Sequence, residues 1–132
     1  MKKIINTKFA GTLLISILSL LSMFHLLIIF KFIPAEFVWG SQINDSSINL
    51  LLMESIALAI TLVFILIIAL KSFYFNSIKK RKLINIIVWI VFFYFILNTL
   101  ANHASDHFIE RMIFTPLTLF MAFLTFRLAI ER

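Results

Sequence analysis

Cysteine is absent from this chain of 132 residues, and glycine, proline and charged residues are scarce. Without cysteine the protein has no disulfide, no thiolate metal ligand and no thiol nucleophile. Charged residues make up 14% of the chain and hydrophobic residues 62%. So few polar side chains cannot cover the surface of a water-soluble domain of this length, which excludes that class of protein.

Four long apolar runs occupy most of the sequence. Each has about the 20 residues that a helix needs to cross the hydrocarbon core of a bilayer, where every backbone polar group must be paired within the protein. The sequence therefore predicts an all-α integral membrane protein, an antiparallel four-helix bundle that forms one transmembrane domain over residues 1–132. The predicted spans are residues 9–30, 48–70, 83–101 and 108–130.

Lysine and arginine lie mostly on one side of this predicted bundle. Ten of the twelve precede the first span, connect the second to the third or close the chain, and only Lys31 and Arg111 lie on the other side. Short connections rich in these residues stay in the cytoplasm, so both termini are predicted to be cytoplasmic. We expect a multi-pass protein of the bacterial inner membrane. The net charge of +6 is then a topology signal, and no nucleic-acid partner is expected.

Small residues recur at helical spacing in two of the spans. Helices in lipid approach one another through such residues, so each stripe is predicted to face a neighbouring helix. The stripe in the fourth span consists of Thr115, Thr118, Ala122, Thr125 and Ala129, and the one in the first span of Thr12, Ser16 and Ser19.

Pro116 in the fourth span leaves two alternatives. If the helix starts near Asp106, the proline interrupts its hydrogen-bond ladder and bends it. If Thr115 caps a helix that begins at Pro116, the preceding residues form a separate interfacial segment. The bend is preferred, because a helix from Pro116 onwards is barely long enough to cross a membrane.

Glu54 is the most informative polar residue, because it lies inside the second span. A carboxylate at that depth costs on the order of 2–3 kcal/mol and needs a partner, water or a proton. His25 lies at a matching depth in the first span, and the other two spans place further polar residues in the same outer layer. The predicted ligand or proton site consists of Glu54, His25, Asn98, Asn102, Arg111 and Thr115. A clasp that only fixes the helix register is the alternative.

His103 and His107 are four residues apart, and on one continuous helix their imidazoles would lie on the same side. That spacing suits zinc or copper, and a solvated turn is the alternative interpretation. The sequence contains no nucleotide-binding loop, serine-nucleophile motif or zinc-protease motif. Catalysis would require Glu54 and His25 as acid and base, and the inner half of the bundle is predicted to hold almost no polar atoms. A non-enzymatic protein without a cofactor is the preferred prediction.

Several segments together resemble a group of small, uncharacterised four-span bacterial membrane proteins, and the resemblance covers nearly the whole chain. In that group a second glycine often follows the Trp-Gly pair, whereas here Ser41 follows Gly40. The resemblance implies the same architecture and the same outer polar residues, without an activity. It is carried by His25, the segment IPAEFVWG at 33–40, Glu54, NTLAN at 98–102, Glu110-Arg111, FTPLTL at 114–119 and Arg-Leu-Ala at 127–129.

Three functions remain open at this point. The preferred prediction is a membrane protein that binds a small ligand or ion in the outward-facing polar cluster. The second is a subunit of a transporter or channel, whose homo-oligomer would be parallel because the charge bias is strong. The third is a metal-binding membrane protein. The lipid bilayer is the partner common to all three.

Overall fold

The computed structural model describes residues 6–34, 47–74 and 78–131, and within these ranges the chain is helical and contains no strand. A five-residue π-helical segment, Leu70–Tyr74, follows the second long helix, and another, Glu110–Phe114, precedes the last. The long helices are α1 (Thr7–Ile29), α2 (Ser47–Ala69), α3 (Ile78–Ala104) and α4 (Thr115–Ala129).

In the described residues, four helical stretches are long and apolar enough to cross a membrane, which confirms the prediction of four such helices. They differ from the predicted spans by a few residues at their ends. This agreement suggests a multi-pass membrane protein. Lys2, Lys3 and Arg132, which contribute to the predicted orientation, lie outside the described residues. The four stretches are Thr7–Ile29, Asn49–Tyr74, Lys82–Ala104 and Glu110–Ala129.

Helix α4 is the most buried of the four described spans. It contacts both α1 and α3, and α1 also contacts α2. Large apolar side chains are exposed on the outer faces of the helices, among them Leu20, Ile90 and Phe93. Such exposure is costly in water but not in hydrocarbon, so it agrees with a membrane location. The main core residues are Leu14, Leu18, Val88, Val91, Phe95, Met121, Leu124 and Leu128.

The two stripes of small residues behave differently. In α4 the prediction is confirmed, because Thr118, Ala122, Thr125 and Ala129 are buried. In α1 it is wrong: the stripe of three hydroxyl residues is exposed. Each of those hydroxyls donates to the carbonyl four residues earlier, at 2.8–2.9 Å, so its polar group is satisfied without a neighbouring helix. The residues exposed in this way are Thr12, Ser16 and Ser19.

Helical backbone continues through Pro116, as the preferred alternative predicts. It begins at Phe108, passes through the π-helical segment and runs on into α4. Proline lacks a backbone N–H and its ring crowds the carbonyl four residues earlier, and the wider π-helical turn accommodates both defects. The Thr115 N–H donates to the Glu110 carbonyl, five residues back. The Thr118 hydroxyl lies 2.7 Å from the Phe114 carbonyl, to which it donates.

Helix α1 approaches the chain after α2 most closely at Gly11. A Cβ atom at Gly11 would lie 2.7 Å from the Cβ of Ser72, in the first π-helical segment. Real Cβ atoms do not come so close, so glycine is required for this contact. The approach also buries the Ser72 hydroxyl, which has no hydrogen-bond partner among the described residues.

Candidate ligand cavity

A buried hydrogen bond joins His25, near the end of α1, to Glu54, near the start of α2. His25 Nδ1 lies 2.8 Å from Glu54 Oε2. Glu54 is fully buried, while 15% of the His25 side chain is exposed. Glu54 is buried because it lies on the face of α2 that turns inward. Glu54, Thr61 and Ile68 mark that face, since they are buried at intervals of seven residues. The sequence-based match in depth between His25 and Glu54 therefore corresponds to a direct contact.

The carboxylate determines what His25 presents to its surroundings. An ionised Glu54 accepts a hydrogen bond from Nδ1, which leaves Nε2 as the second polar atom of the ring. With a protonated imidazole the same contact is an ion pair. Either state gives the buried carboxylate the partner that it needs in a membrane interior.

His25 lines a cavity of about 660 Å³ among the four helices, whereas Glu54 lies behind it and outside the lining. The walls change in character along the cavity. The end next to the α3–α4 connection is polar, and the other end, deeper in the bundle, is mainly apolar, with Thr61, Tyr94 and Thr118 as its polar lining residues. We call these the polar end and the apolar end. The polar end is lined by His25, Asn98, Asn102, Ser105, Asp106, His107 and Glu110, and the apolar end by Leu18, Ile60, Phe64, Phe95 and Met121.

Glu110 is the second buried carboxyl group of this region. It is 8% exposed, and its side chain accepts a hydrogen bond from the Ser105 hydroxyl. The backbone N–H of His107 donates to the same hydroxyl at 3.1 Å. His107 Nδ1 is buried and has no hydrogen-bond partner within the described ranges. A buried polar atom in this state costs about 1–3 kcal/mol, which a ligand that pairs with it would recover.

The charges of the polar end favour cations. Asp106 and Glu110 contribute carboxyl groups and the two histidines contribute imidazoles. No Lys or Arg side chain lines the cavity in the part of the chain that the structure describes. An ammonium group would find carboxylates as partners there, whereas an anion would find repulsion.

Four of the six residues predicted for the ligand site lie together, and two do not. His25, Asn98 and Asn102 line the cavity, with Glu54 directly behind His25. The amide of Asn102 reaches Asn98 Oδ1 only at 3.5 Å, a weak contact. The other two predicted residues lie outside the lining. Arg111 is exposed, and the Thr115 hydroxyl donates to the Glu110 carbonyl at 3.3 Å.

The π-helical segment explains why Glu110, and not Arg111, turns inward. In an unbroken α-helix Arg111 and Thr118, seven residues apart, would share a face. The extra residue in the π-helical turn rotates the preceding part of the helix, so the face that Arg111 would occupy is taken by the residue before it. Glu110 and Thr118, eight residues apart, therefore both become buried. Sequence spacing missed Glu110 for this reason, although Pro116 is a signal for such a local change.

His103 and His107 are not on one continuous helix, because α3 ends at Ala104. His107 lines the cavity, and His103 is exposed and is not part of the lining. Within residues 6–34, 47–74 and 78–131, no group of three or more His, Asp or Glu side chains is arranged to hold a metal ion. The metal site remains a prediction, but the stacked geometry on which it was based is absent.

A second polar cluster lies at the opposite end of the bundle, which corrects the expectation that this half holds almost no polar atoms. Lys71 Nζ donates to Asn85 Oδ1 at 2.8 Å and to the Glu131 carbonyl at 2.7 Å. Arg127 is only 3% exposed and pairs with the Glu131 carboxylate at 2.9 Å. The spacing of four residues between Arg127 and Glu131 is a sequence signal for this ion pair. We call these four residues the Lys71 cluster.

Comparisons of the chain with protein-family models, with curated proteins and with solved structures found no match.

Proposed function

We propose that the protein is a non-enzymatic, multi-pass protein of the bacterial inner membrane that binds a small amine or other cation at the polar end of the cavity. The observation that carries the proposal is a cavity bordered by polar side-chain atoms that are available to a ligand. His25, oriented by Glu54, and the unpartnered Nδ1 of His107 both border a cavity with carboxyl groups and without Lys or Arg in the described residues.

The proposed topology is up-down-up-down with both termini in the cytoplasm. Contacts between the start of α1 and the end of α2, and between the end of α1 and the start of α2, support antiparallel neighbours. The Thr99–Thr118 and Trp89–Phe126 contacts support the same for α3 and α4. Because most Lys and Arg residues fall at the Lys71 cluster's end, the polar end of the cavity would face outward.

A purely structural clasp explains less of the geometry. A clasp needs only the His25–Glu54 hydrogen bond and is best sealed from other polar groups. Here His25 also borders the cavity, and further polar residues from α3 and the α3–α4 connection line the same space. Such convergence of a few polar groups in a concave site is typical of ligand binding.

Ethanolamine, a small water-soluble amine, tests the proposal on the purified protein in detergent. At a concentration tenfold above its dissociation constant it should stabilise the protein by about 1.4 kcal/mol, seen as a rise in Tm. Glu110→Gln and His25→Ala should fold but lose that rise, because each removes a polar partner of the ammonium group.

Ser16→Ala is the matched control, since Ser16 is an exposed residue of α1 outside the cavity. This variant should keep the full rise in Tm. Ethanolamine without effect on the wild-type protein, or an equal rise in the wild type and in both cavity variants, would contradict the proposal. Loss of folded protein in both cavity variants, together with no ethanolamine effect on the wild type, would favour the clasp.

The transporter and metal-binding functions stay predictions without a supporting observation. The cavity lining ends at residues such as Phe64 and Met121, and the Lys71 cluster lies beyond them. The described part of the chain therefore offers no continuous polar path along one bundle. Transport would need an oligomer that supplies such a path.

A further inference from the structure

An apolar groove runs along the outer surface between α1 and α4, next to the cavity. Its volume is about 520 Å³, and its lining in the described residues is made of aliphatic and phenyl side chains. Two of them, Leu20 and Ile113, are 68% and 56% exposed on the surface that would contact lipid. The groove is lined by Ile17, Leu20, Leu21, Phe24, Ile33, Ile109, Ile113, Phe114 and Leu117.

The groove and the cavity share one wall. Leu21, Phe24, Phe114 and Leu117 line both spaces. The rings of Phe24 in α1 and Phe114 in the second π-helical segment are in contact, with their centroids 5.8 Å apart and their planes tilted by 51°. Both rings are half-buried, and a phenyl ring changes rotamer without breaking any hydrogen bond, so side-chain rotation can open the wall at this pair.

We infer that the ligand is a phospholipid with a primary amine headgroup, which enters sideways from the bilayer between α1 and α4. Its amine occupies the polar end of the cavity and one acyl chain occupies the groove. The inference rests on the proposed function, because it assigns a chemical class to the ligand of the same cavity.

The division of polarity supports this occupant. An amine needs the carboxyl groups and imidazoles of the polar end, while an acyl chain needs a surface without polar atoms. A soluble amine would leave the groove unused. Both spaces reach the same end of the bundle, because the groove includes Ile33 and Ile109 and the cavity includes Ser105 and Glu110. A molecule with an amine head and an apolar tail can therefore contact both at once.

Two exposed cations lie close in sequence to residues of the groove and suit the phosphate of such a lipid. Lys31 lies two residues before Ile33, and Arg111 lies between Ile109 and Ile113 in sequence. A lipid phosphate at the headgroup level is a favourable partner for Lys and Arg there. The arrangement gives Arg111 a place near the ligand, although it does not line the cavity.

The headgroup must supply the selectivity. An acyl chain that moves from bilayer to groove exchanges one apolar environment for another and gains little. An uncharged headgroup cannot form the charge-assisted hydrogen bonds that an ammonium group forms with the carboxylates, so loss of one such bond should lower selective binding about tenfold. The groove instead determines which side of the bundle admits the lipid.

Native mass spectrometry of the protein released from nanodiscs tests the inference. The nanodiscs contain equal amounts of phosphatidylethanolamine and phosphatidylglycerol, and the ratio of the two lipids retained on the protein is measured. The wild type should retain the amine lipid in about tenfold excess. Glu110→Gln should bring the ratio close to that of the nanodisc, because it removes a carboxylate from the polar end.

Ile113→Trp should fill the groove and also lower the ratio, while Ile86→Trp should not. The two positions are matched, since Ile86 is 53% exposed on the outer face of α3 and lies outside both linings. Both changes place tryptophan on a lipid-facing surface, so neither threatens the core. Equal ratios in both tryptophan variants would overturn lateral entry along the groove.

The ethanolamine measurement separates the two levels of the proposal. Stabilisation of the wild type by ethanolamine with no selective retention of the amine lipid would overturn the lipid inference and leave the proposed function standing. Absence of both effects would overturn both. Selective retention that Glu110→Gln leaves unchanged would mean that the lipid binds the outer surface only, which also contradicts the inference.

Discussion

The two ends of the bundle both bury charged side chains, but they satisfy them in different ways. At one end the Lys71 cluster joins the π-helical segment after α2 to α3 and to the end of α4 and the chain that follows it, and its polar atoms pair with one another. At the other end the His25–Glu54 pair borders a cavity in which His107 Nδ1 has no partner among the described residues. The difference separates polar groups that hold helices together from polar groups that remain available for binding.

Packing differs between the ends in the same direction. Near the Lys71 cluster, Gly11 lets α1 approach Ser72 so closely that no side chain would fit between them. Near His25, α1 and α4 are separated by the cavity and by the groove beside it. Stability should therefore depend most on residues at the closed end, and ligand effects on residues at the open end.

Replacement of Lys71 should lower the stability more than any other change proposed for the two ends. A small effect would mean that the two ends do not differ in the way described. Lys71→Met keeps most of the length of the side chain but removes the donor for both Asn85 and the Glu131 carbonyl. Two half-buried acceptors that lose a donor cost up to about 3 kcal/mol together. Urea or thermal unfolding in detergent measures the change. Wild-type stability in this variant would show that the Lys71 cluster does not hold the closed end together.

Gly11→Ala should have the next largest effect, about 2 kcal/mol, because overpacking a close helix contact forces the backbones apart. The side chain of Ser72 cannot rotate out of the way, since its Cβ is itself too near. Ser72→Gly should restore much of the stability of Gly11→Ala, and thermal unfolding of the two single variants and the double variant measures that coupling. Purely additive effects would contradict direct contact between the two positions.

Glu54→Gln should have the smallest effect on stability, about 1 kcal/mol or less, because an amide can still accept the hydrogen bond from His25. The same change should weaken ethanolamine binding strongly, since it removes the negative charge behind the imidazole. Unfolding and calorimetric titration on the same sample give both quantities. A large loss of stability with unchanged ethanolamine binding would show that Glu54 holds helices together, as the Lys71 cluster does, and does not serve ligand binding.

The sequence predicts the features that depend on composition and depth. The apolar runs are sufficient to predict the four helices. The equal distance of His25 and Glu54 from the outer ends of their spans is sufficient to predict that they lie at the same depth, where the structure pairs them. Features that depend on helix rotation are less accessible. Thr12 and Thr125 have the same intrahelical hydrogen bond, yet the first is exposed and the second buried. Their hydroxyls are satisfied on either face, so the residue type alone does not decide which face is covered.

The hydrogen bonds of Lys71 were not predicted because its partners are far away in the chain or are backbone atoms. Lys71 and Glu131 are separated by 60 residues, and the acceptor is a carbonyl. No side-chain pattern encodes such a contact. Arg127 resembles an interfacial anchor in sequence, but the packing of α4 between its neighbours buries it.

The contact between Lys71 and the Glu131 carbonyl has a consequence for the order of assembly. A chain made from its first residue onwards inserts α2 and α3 before it contains Glu131, so Lys71 initially has Asn85 as a nearby partner from this cluster and lacks the carbonyl. Its ammonium group then stays close to the aqueous boundary. Insertion of α4 brings the Glu131 carbonyl, the second acceptor, to Lys71. The contacts at this end of the bundle are therefore complete only after residue 131 has been translated.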